Sequence, residues 1–248
     1  EDLGVFTHVI RDSSRPTTKK IRYMVENQKL FRVSRLKEHS LSKDTEDLLI
    51  GKIEEFGPLS DGILVCDFVY GVITPRVIEV LRKVAQDNDL PLFGDLQCSS
   101  QIGHITKFQE FTLLCPTERE ARIALGNQDD GIEYIANSLM EQAKTMSLVL
   151  KLGADGFIIY SREEDRELLS RQHFPALTVN PVDVAGAGDS LLAAIAVAVT
   201  KGFTLMEAAA LGACMAGLSV QTVGNSPINI RELTNFVGRR STRVNAVQ

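Results

Sequence analysis

Short, nearly continuous apolar runs alternate along the chain with longer segments in which apolar residues recur at helical spacing. Uninterrupted apolar runs are typical of strands that are buried on both faces of a sheet. The segments between them place apolar residues on one helical face, as at Val77, Ile78, Leu81 and Val84. Repeated strand–helix alternation predicts an α/β fold, with an open, mostly parallel sheet covered by helices on both faces. The runs interpreted as strands are 62–66, 91–95, 111–115, 147–152 and 157–160.

Turn and capping residues mark the boundaries of these elements. Thr74-Pro75 predicts the start of the first of these helices, because proline fits the first turn of a helix. The Gly-Ala-Asp-Gly sequence at 153–156 predicts a turn from which the chain returns as the strand 157–160. Further helices are predicted at about 117–125, 131–144, 189–200 and 204–221, with a last one near 230–237.

Two alternating runs near the start of the chain, 18–25 and 29–34, flank the polar turn Glu26-Asn27-Gln28. This pattern predicts a β-hairpin. The hairpin is too polar to serve as a core element, so we expect residues 18–34 to lie over the main sheet as a lid.

Composition and charge narrow the range of functions. With 248 residues and 44% hydrophobic residues, the chain can bury the core of a single domain over 1–248. The 27 Lys+Arg and 32 Asp+Glu give a net charge of −5, and the basic residues are scattered, which argues against a nucleic-acid partner. The longest apolar stretch, 191–199, is shorter than the roughly 20 residues of a membrane span, so no membrane partner is expected.

The four cysteines lie far apart, with no CxxC pair and no histidine at metal-ligand spacing. We interpret them as free thiols in a reducing cytoplasm, and no signal peptide pattern is visible at the start of the sequence. Cys66 and Cys115 end apolar runs, so we expect both to be small core residues.

The segment 183–190, Asp-Val-Ala-Gly-Ala-Gly-Asp-Ser, contains the residues best suited to chemistry. Glycines before an apolar helix let backbone N–H groups converge on one point, where the helix dipole also favours an anion. Asp189 places a carboxylate beside that point and could take a proton from an attacking hydroxyl. The alternative is that Asp189 only caps the helix and that the small residues only allow close packing.

Residues 183–196 resemble the C-terminal signature of the PfkB/ribokinase family of carbohydrate kinases, whose usual form is D-T-x-G-A-G-D. The resemblance implies a ribokinase-like three-layer α/β/α sandwich with a small β lid. It also implies phosphoryl transfer from ATP, with Mg²⁺, to a sugar hydroxyl. Asp189 would be the catalytic base, and the amides of Gly186, Ala187 and Gly188 would form the anion hole.

Other segments are similar to the heptose-7-phosphate kinase branch, which often forms half of a bifunctional kinase/adenylyltransferase. Residues 114–120 resemble its L-T-P-N-L-S-E element near the nucleotide phosphates and magnesium, with Thr117 in place of Asn. The alternative for Glu120 is an ordinary exposed carboxylate on a helix. Residues 151–156 resemble a strand and glycine turn with nucleotide contacts, and 223–228 resemble a loop near the adenine and a monovalent cation. The resemblance thus assigns nucleotide contacts to Thr117, Glu118, Arg119, Glu120, Lys151, Gly153, Gly156 and Asn225, and magnesium to Glu120.

The sugar side departs further from the branch pattern. Residues 67–74 resemble D-Y-G-K-G-x-L-T, but Val69 and Tyr70 replace the usual Gly and Lys. The hairpin resembles K-L-R…N-Q-x-L-x-R, with Ser34 in place of a common Asp. The resemblance assigns the sugar or sugar phosphate to Arg22, Asn27, Arg32 and Asp67.

The family also begins with a strand and a G-G-x-x-x-N sugar-binding segment that the sequence does not contain, so we expect an N-terminally incomplete domain. A heptose 7-phosphate is the preferred substrate, and a fructose, ribose or nucleoside kinase is the nearest alternative. A catalytically weak sugar- or nucleotide-binding regulatory homologue is the alternative from another class, favoured by Thr117, Val69 and Tyr70. The lid of this family often pairs with a second subunit, which implies a homodimer.

Overall fold

The computed structural model describes residues 4–25, 28–98, 102–162, 169–178, 180–224 and 226–245. These residues form a two-stranded hairpin and a six-stranded sheet with helices on both faces. The strands are β1 (Lys19–Val25), β2 (Gln28–Arg35), β3 (Ile63–Asp67), β4 (Leu92–Leu96), β5 (Leu113–Leu114), β6 (Ser147–Lys151), β7 (Phe157–Ser161) and β8 (Ser170–Phe174). The helices are α1 (Lys43–Phe56), α2 (Pro75–Asp87), α3 (Glu118–Leu125), α4 (Ile132–Ala143), α5 (Ala187–Thr200), α6 (Leu205–Ser219) and α7 (Ile230–Asn245).

The six strands lie side by side in chain order, from β3 to β8. Neighbouring strands from β3 to β6 pair in parallel. Beyond β6, the sheet continues with β7 and β8, which pair antiparallel. Because β3 to β6 are parallel, their carboxyl ends meet at the same edge of the sheet, where such sheets bind ligands. The predicted open, mostly parallel sheet is confirmed.

The sheet separates two hydrophobic cores. Helices α1 to α4 cover one face, and α5 and α6 cover the other. Strand β6 shows the alternation: Leu148 and Leu150 belong to the first core, while Val149 between them belongs to the second. This arrangement confirms the predicted three layers, and it explains why the central strands β4, β5 and β6 are buried on both faces.

Several elements differ from the sequence-based expectation. Helix α5 begins at Ala187, two positions before the predicted start. Helix α7 continues to Asn245 instead of ending near Val237, and neither α1 nor β8 is predicted. Among the described residues, no helix combines the length and the apolarity needed to cross a membrane.

The predicted hairpin is confirmed as β1 and β2, which pair antiparallel with Arg22 directly opposite Arg32. The segment after β2 holds it to the loop after β3. Leu41 N donates to Gly71 O at 3.0 Å, and a side chain at Gly71 would collide with the backbone of His39. Arg15 adds a hydrogen bond to Tyr70 O at 2.7 Å.

Candidate active site

Polar side chains collect at the carboxyl edge of the parallel strands, where α5 begins. Asp67 is the last residue of β3, and Lys151 is the last residue of β6. Asp95 is the second-last residue of β4, and Gln97 directly follows that strand. Asp67 and Asp95 are almost fully buried, at 3% and 1% exposure. Buried charges in this position need partners, and each aspartate has a lysine.

The first turn of α5 has the geometry expected for an anion site. Gly186 is the N-cap and has φ 82°, a left-handed conformation that favours glycine. Ser190 N donates to Gly186 O at 2.9 Å, the first bond of the helix. The amides of Gly188 and Asp189 lie in the first turn, which has no intrahelical acceptors. Of the predicted anion-hole amides, that of Ala187 already donates to Val184 O at 3.4 Å.

Asp189 lies in this first turn and faces the sheet edge. Gln97 Nε2 donates to Asp189 Oδ1 at 2.8 Å, which orients the carboxylate and leaves Oδ2 for another partner. Partial burial raises the pKa of Asp189, and the charge of Asp95 raises it further. Lys151, the hydrogen bond from Gln97 and the charge of Lys20 oppose that rise in pKa.

Lys151 lies beneath the same turn. Its Nζ is 2.8 Å from Asp95 Oδ1, and a Cβ placed at Gly188 would lie only 3.3 Å from that Nζ. Burial alone would lower the pKa of Lys151, but the surrounding negative groups, Asp95 among them, keep it above its ordinary value. Lys151 is therefore a buried ammonium group in an ion pair. Its predicted contact with the nucleotide stays a prediction.

Asp183 connects the loop before α5 to the segment near residue 224. Its Oδ1 accepts from Ala185 N at 3.0 Å, and its Oδ2 accepts from Gly224 N at 3.1 Å. These two segments form walls of a cavity of about 330 Å³ that opens beside Asp189. The cavity is lined by Ala185, Gly186, Asp189, Ser190, Ala193, Met215, Ser219, Gly224, Ser226, Pro227 and Ile228. Asn225, predicted to contact the nucleotide, lies outside the described residues.

Glu120 and Thr117 form a capping box at the start of α3. Thr117 N donates to Glu120 Oε2 at 2.8 Å, and Glu120 N donates to Thr117 Oγ1 at 3.2 Å. Cys98 N also donates to Glu120 Oε1 at 3.1 Å, which ties the segment after β4 to α3. The interpretation of Glu120 as an exposed helical carboxylate is wrong, because only 8% of the residue is exposed.

The other predicted nucleotide contacts lie at or near this edge. Glu118 pairs with Arg122 at 2.8 Å, and Arg119 is exposed. Gly153 and Gly156 flank the turn after β6, and a side chain at Gly156 would collide with Phe174 O. Gly156 therefore has a structural reason to be glycine, independent of any ligand.

On the sugar side, Asp67 is paired with Lys107 and also accepts from Val69 N at 2.9 Å. Lys20 of the hairpin lies over the rings of Phe68 and Tyr70, at 4.9 and 5.5 Å from their centroids.

Alternation along β1 places Arg22 on the same face as Lys20, with Arg32 opposite Arg22. Asn27 lies outside the described residues. The hairpin thus presents basic side chains on the face that carries Lys20.

Asp95, Gln97 and Lys107 were not singled out by sequence reasoning, and Lys20 was matched to the hairpin motif without being assigned a role. One signal was available for Asp95 and Gln97, since polar residues directly after a buried parallel strand belong to the ligand-binding edge. Lys107 gave no such signal, because its pairing with Asp67 depends on the fold.

The four cysteines are free thiols, as predicted. Cys115 is fully buried, and burial raises the pKa of its thiol to about 12. The prediction that Cys66 is a core residue is wrong, because its side chain lies on the exposed face of β3, beside Asp95 of β4. Desolvation raises the pKa of Cys66 to about 11, with smaller contributions from the charges of Asp95 and Asp189.

Comparison with known families agrees with this geometry. The model of the pfkB family carbohydrate kinases matches residues 1–231. The chain belongs to this family. In this member of the family, the G-A-G-D turn lies at the ligand-binding edge of the sheet.

Similar proteins include the bifunctional protein HldE of Nitratiruptor sp., which is 30% identical over 240 residues, covering 95% of this chain and 48% of that protein. The chain therefore spans about half the length of the curated relatives it matches. Among solved structures, ribokinase from Giardia lamblia has a TM-score of 0.76 at 17% identity, covering 96% of this chain and 76% of that one. Arabidopsis thaliana ribokinase, solved with ribose and ATP, has a TM-score of 0.66 at 19% identity and covers 90% and 70%. These structures identify the fold as ribokinase-like.

Proposed function

We propose that the protein transfers the γ-phosphoryl group of ATP to a hydroxyl of a phosphorylated sugar. The observation that carries this proposal is the placement of Asp189 in the first turn of α5, beside the amides of Gly188 and Asp189 itself. A site that only bound phosphate would gain nothing from a carboxylate there, whereas a kinase needs a base next to the transferred group.

In the proposed reaction, the free oxygen of Asp189 takes the proton of the sugar hydroxyl. The hydroxyl oxygen forms a bond to the γ-phosphorus, and the bond from that phosphorus to the β–γ bridging oxygen breaks, which releases ADP. The first-turn amides of α5 stabilise the negative charge on the transferred phosphoryl oxygens. Gln97 supports the reaction by fixing the other oxygen of Asp189 at 2.8 Å.

The cavity of about 330 Å³ beside Asp189 is the proposed nucleotide site. It extends from the first turn of α5, where the phosphates would lie, to the 226–228 segment and Met215. Asp183 supports both walls of this cavity. Arabidopsis thaliana ribokinase, which has a related fold, was solved with ribose and ATP, which supports nucleotide binding by a fold of this kind.

Glu120 is the proposed contact for Mg²⁺. Each of its carboxylate oxygens accepts one backbone N–H and retains a second lone pair. Among the described residues, no group of three acidic, histidine or cysteine side chains could hold a metal ion. The single carboxylate of Glu120 fits an ion that is bound mainly by the nucleotide phosphates, because Mg²⁺ commonly uses one or two protein carboxylates plus phosphates and water. When bound, the ion would neutralise phosphate charge. A monovalent cation stays a prediction, since Asn225 lies outside the described residues.

The basic side chains on the sugar side support a phosphorylated substrate. The ammonium of Lys20 lies over the rings of Phe68 and Tyr70 in the loop after β3, and its charge lowers the pKa of the Asp189 carboxyl. Arg22 and Arg32 lie opposite one another on the same hairpin, and arginine suits bidentate contact with phosphate. Within this class, a heptose 7-phosphate is the proposed substrate, because of the resemblance of residues 114–120 and 67–74 to the heptose kinase branch.

The other face of the hairpin supports a homodimer. It exposes apolar side chains, and the rings of Tyr23 and Phe31 stack at 4.5 Å. We propose that two lids pair through this face, and that the protein acts in the cytoplasm on small molecules.

An assay for ATP-dependent ADP release, with a panel of sugars and their phosphates, tests the proposed function. We expect turnover with a phosphorylated sugar and much less with its neutral counterpart. Turnover with only neutral sugars would reject the phosphorylated substrate. ADP binding by calorimetry without turnover on any sugar would reject the kinase and favour a regulatory homologue.

A further inference from the structure

The ion pair of Asp95 and Lys151 lies outside the steps of the proposed reaction. Asp95 comes from β4 and Lys151 from β6, and strand β5 lies between these two strands in the sheet. Their charged atoms are 2.8 Å apart, with side chains only 2% and 14% exposed. A buried pair of this kind is weak evidence for a role in stability, because apolar residues of similar volume often stabilise a fold as well or better.

The position of the pair relative to α5 suggests a role. Position 188 has no side chain, and a Cβ there would lie within 3.4 Å of both Nζ and Cδ of Lys151. Lys151 therefore packs directly against the backbone that carries the first-turn amides. The pair connects the sheet to the turn from which Asp189 projects.

Titratable groups from four strands interact electrostatically with the carboxyl group of Asp189. The charged ones are Asp95 from β4, Lys151 from β6 and Lys20 from β1, and the neutral thiol of Cys66 comes from β3. Gln97 adds a neutral donor. Asp95 disfavours the ionised form of Asp189, while Lys151 and Lys20 favour it. The nearby Glu120 acts on Lys151 rather than on Asp189.

We propose that Asp95 and Lys151 are positioning residues of the phosphoryl-transfer centre. Asp95 holds Lys151 beneath Gly188, and the pair fixes the first turn of α5, from which Asp189 projects. The two charges of the pair also act on the carboxyl of Asp189. This inference rests on the proposed function, and it differs from the predicted role of Lys151 as a nucleotide contact.

The first test needs no substrate and uses Cys66 as a reporter of local charge. The rate at which iodoacetamide alkylates Cys66 is followed at pH 8 by mass spectrometry of its peptide. Asp95→Asn removes a charge that raises the pKa of this thiol, so we expect faster alkylation. The alkylation rate should rise about threefold for each unit by which the pKa of the Cys66 thiol falls. The thiolate fraction rises about tenfold per unit, but a thiolate of lower pKa is a weaker nucleophile.

Asp67→Asn is the matched control. Asp67 is also a buried aspartate near the end of a strand and is paired with Lys107, but its side chain points away from the Cys66 face of β3. We expect no change in the alkylation rate of Cys66. Equal rates in Asp95→Asn and the unmodified protein would overturn the electrostatic part of the proposal, whatever the protein's activity.

The second test separates positioning from direct nucleotide binding. Lys151→Met keeps the packing against Gly188 and loses the charge, and Lys151→Arg keeps the charge. We expect Lys151→Met to lower kcat by about tenfold or more while the Kd of ADP, measured by calorimetry, changes less than about twofold. Lys151→Arg should recover part of kcat. A parallel loss of ADP affinity and kcat would overturn positioning and make Lys151 a nucleotide ligand.

The pH profile provides a third readout. Asp95→Asn should shift the acidic limb of kcat/KM to lower pH, since Asp189 loses a neighbour that disfavours its charge. In Asp67→Asn, the pH midpoint of the acidic limb of kcat/KM should not change, even if kcat does. An unshifted limb in Asp95→Asn would contradict the proposal. If a single variant fails to fold, the double variant Asp95→Asn/Lys151→Met replaces it, because it buries no unpaired charge. We expect the double variant to bind ADP and to have a reduced kcat.

Discussion

At the scale of single residues, Asp189 combines a role in the proposed reaction with a cost to the fold. Its pKa is raised, mainly by burial and then by Asp95, so the folded protein disfavours its ionised form. A carboxyl whose folded pKa lies above its unfolded pKa contributes stability below the unfolded value. That contribution is lost as the pH rises through the folded value.

We therefore expect Asp189→Asn to melt at a higher temperature than the unmodified protein at pH 7.5. The amide keeps the shape of the side chain but never ionises. The difference in Tm should narrow as the pH is lowered towards the ordinary pKa of 3.8. Scanning calorimetry at several pH values checks this. A Tm difference that is constant with pH would contradict it.

Gly188 gives a second prediction at this scale. Gly188→Ala adds a methyl group that meets only the flexible end of Lys151, so the protein should still fold. Displacement of the ammonium should lower kcat by about tenfold, a barrier increase of about 1.4 kcal/mol. Chemical denaturation and steady-state kinetics measure the two effects.

The control for Gly188→Ala is Gly51→Ala on the exposed face of α1, where an added Cβ meets nothing within 4 Å. It should raise the free energy of unfolding by about 0.5–1 kcal/mol and leave kcat unchanged. A kcat for Gly188→Ala equal to that of Gly51→Ala would show that position 188 tolerates a side chain.

The sequence could identify Asp189 because its signal is local: glycines, a helix start and a carboxylate within a few positions. The sequence could not predict which residues surround Lys151. Lys151 and Asp95 are separated by 56 positions and meet only because β4 and β6 flank β5. A charged residue at the end of a strand predicts an edge, but it does not predict its partner.

At the scale of elements, the hairpin and the start of α5 are the two parts that would contact the substrate. Arg22 lies on the face of β1 that carries Lys20, while Arg35 lies on the opposite face. The two arginines therefore form a matched pair for testing the lid.

We expect Arg22→Ala to raise KM for a phosphorylated sugar by about 10- to 100-fold, from a hydrogen bond to a charged group worth about 1.5–3 kcal/mol. KM for the matched neutral sugar should change little. Arg35→Ala should affect neither value. Equal, small changes in both arginine variants would reject the phosphate contact and favour a neutral sugar.

Helices with an apolar stripe or a largely apolar sequence were predicted well, whereas α1 and the second half of α7 were not. Helix α2 starts at the predicted Thr74-Pro75, whose threonine caps it. Helix α1 buries only Ile50, and the second half of α7 is rich in arginine and polar residues, so neither produced a clear apolar stripe. Packing against the rest of the molecule stabilises such helices, and a single sequence does not reveal it.

At the scale of the whole molecule, the layered fold could be predicted because the central strands β4, β5 and β6 are buried on both faces. The apolar face of the hairpin is different, since it remains exposed: Tyr23 is 47% and Phe31 is 53% exposed. Contiguous exposed apolar surface often marks a protein interface.

We expect Phe31→Glu to shift the protein from dimer to monomer in sedimentation experiments, because a charge would be buried between two lids. Leu59→Glu is the control, as Leu59 is 81% exposed and lies outside the hairpin. A protein that is monomeric before substitution would contradict the proposed dimer.

The central claim is that Asp189 acts as the base of a kinase, and its most direct test is kcat of Asp189→Asn with ATP and the best sugar phosphate. ADP affinity is measured in parallel by calorimetry. The amide is nearly isosteric but cannot accept the proton, so kcat should fall by about two to four orders of magnitude while ADP still binds. Unchanged turnover in this variant would contradict the account.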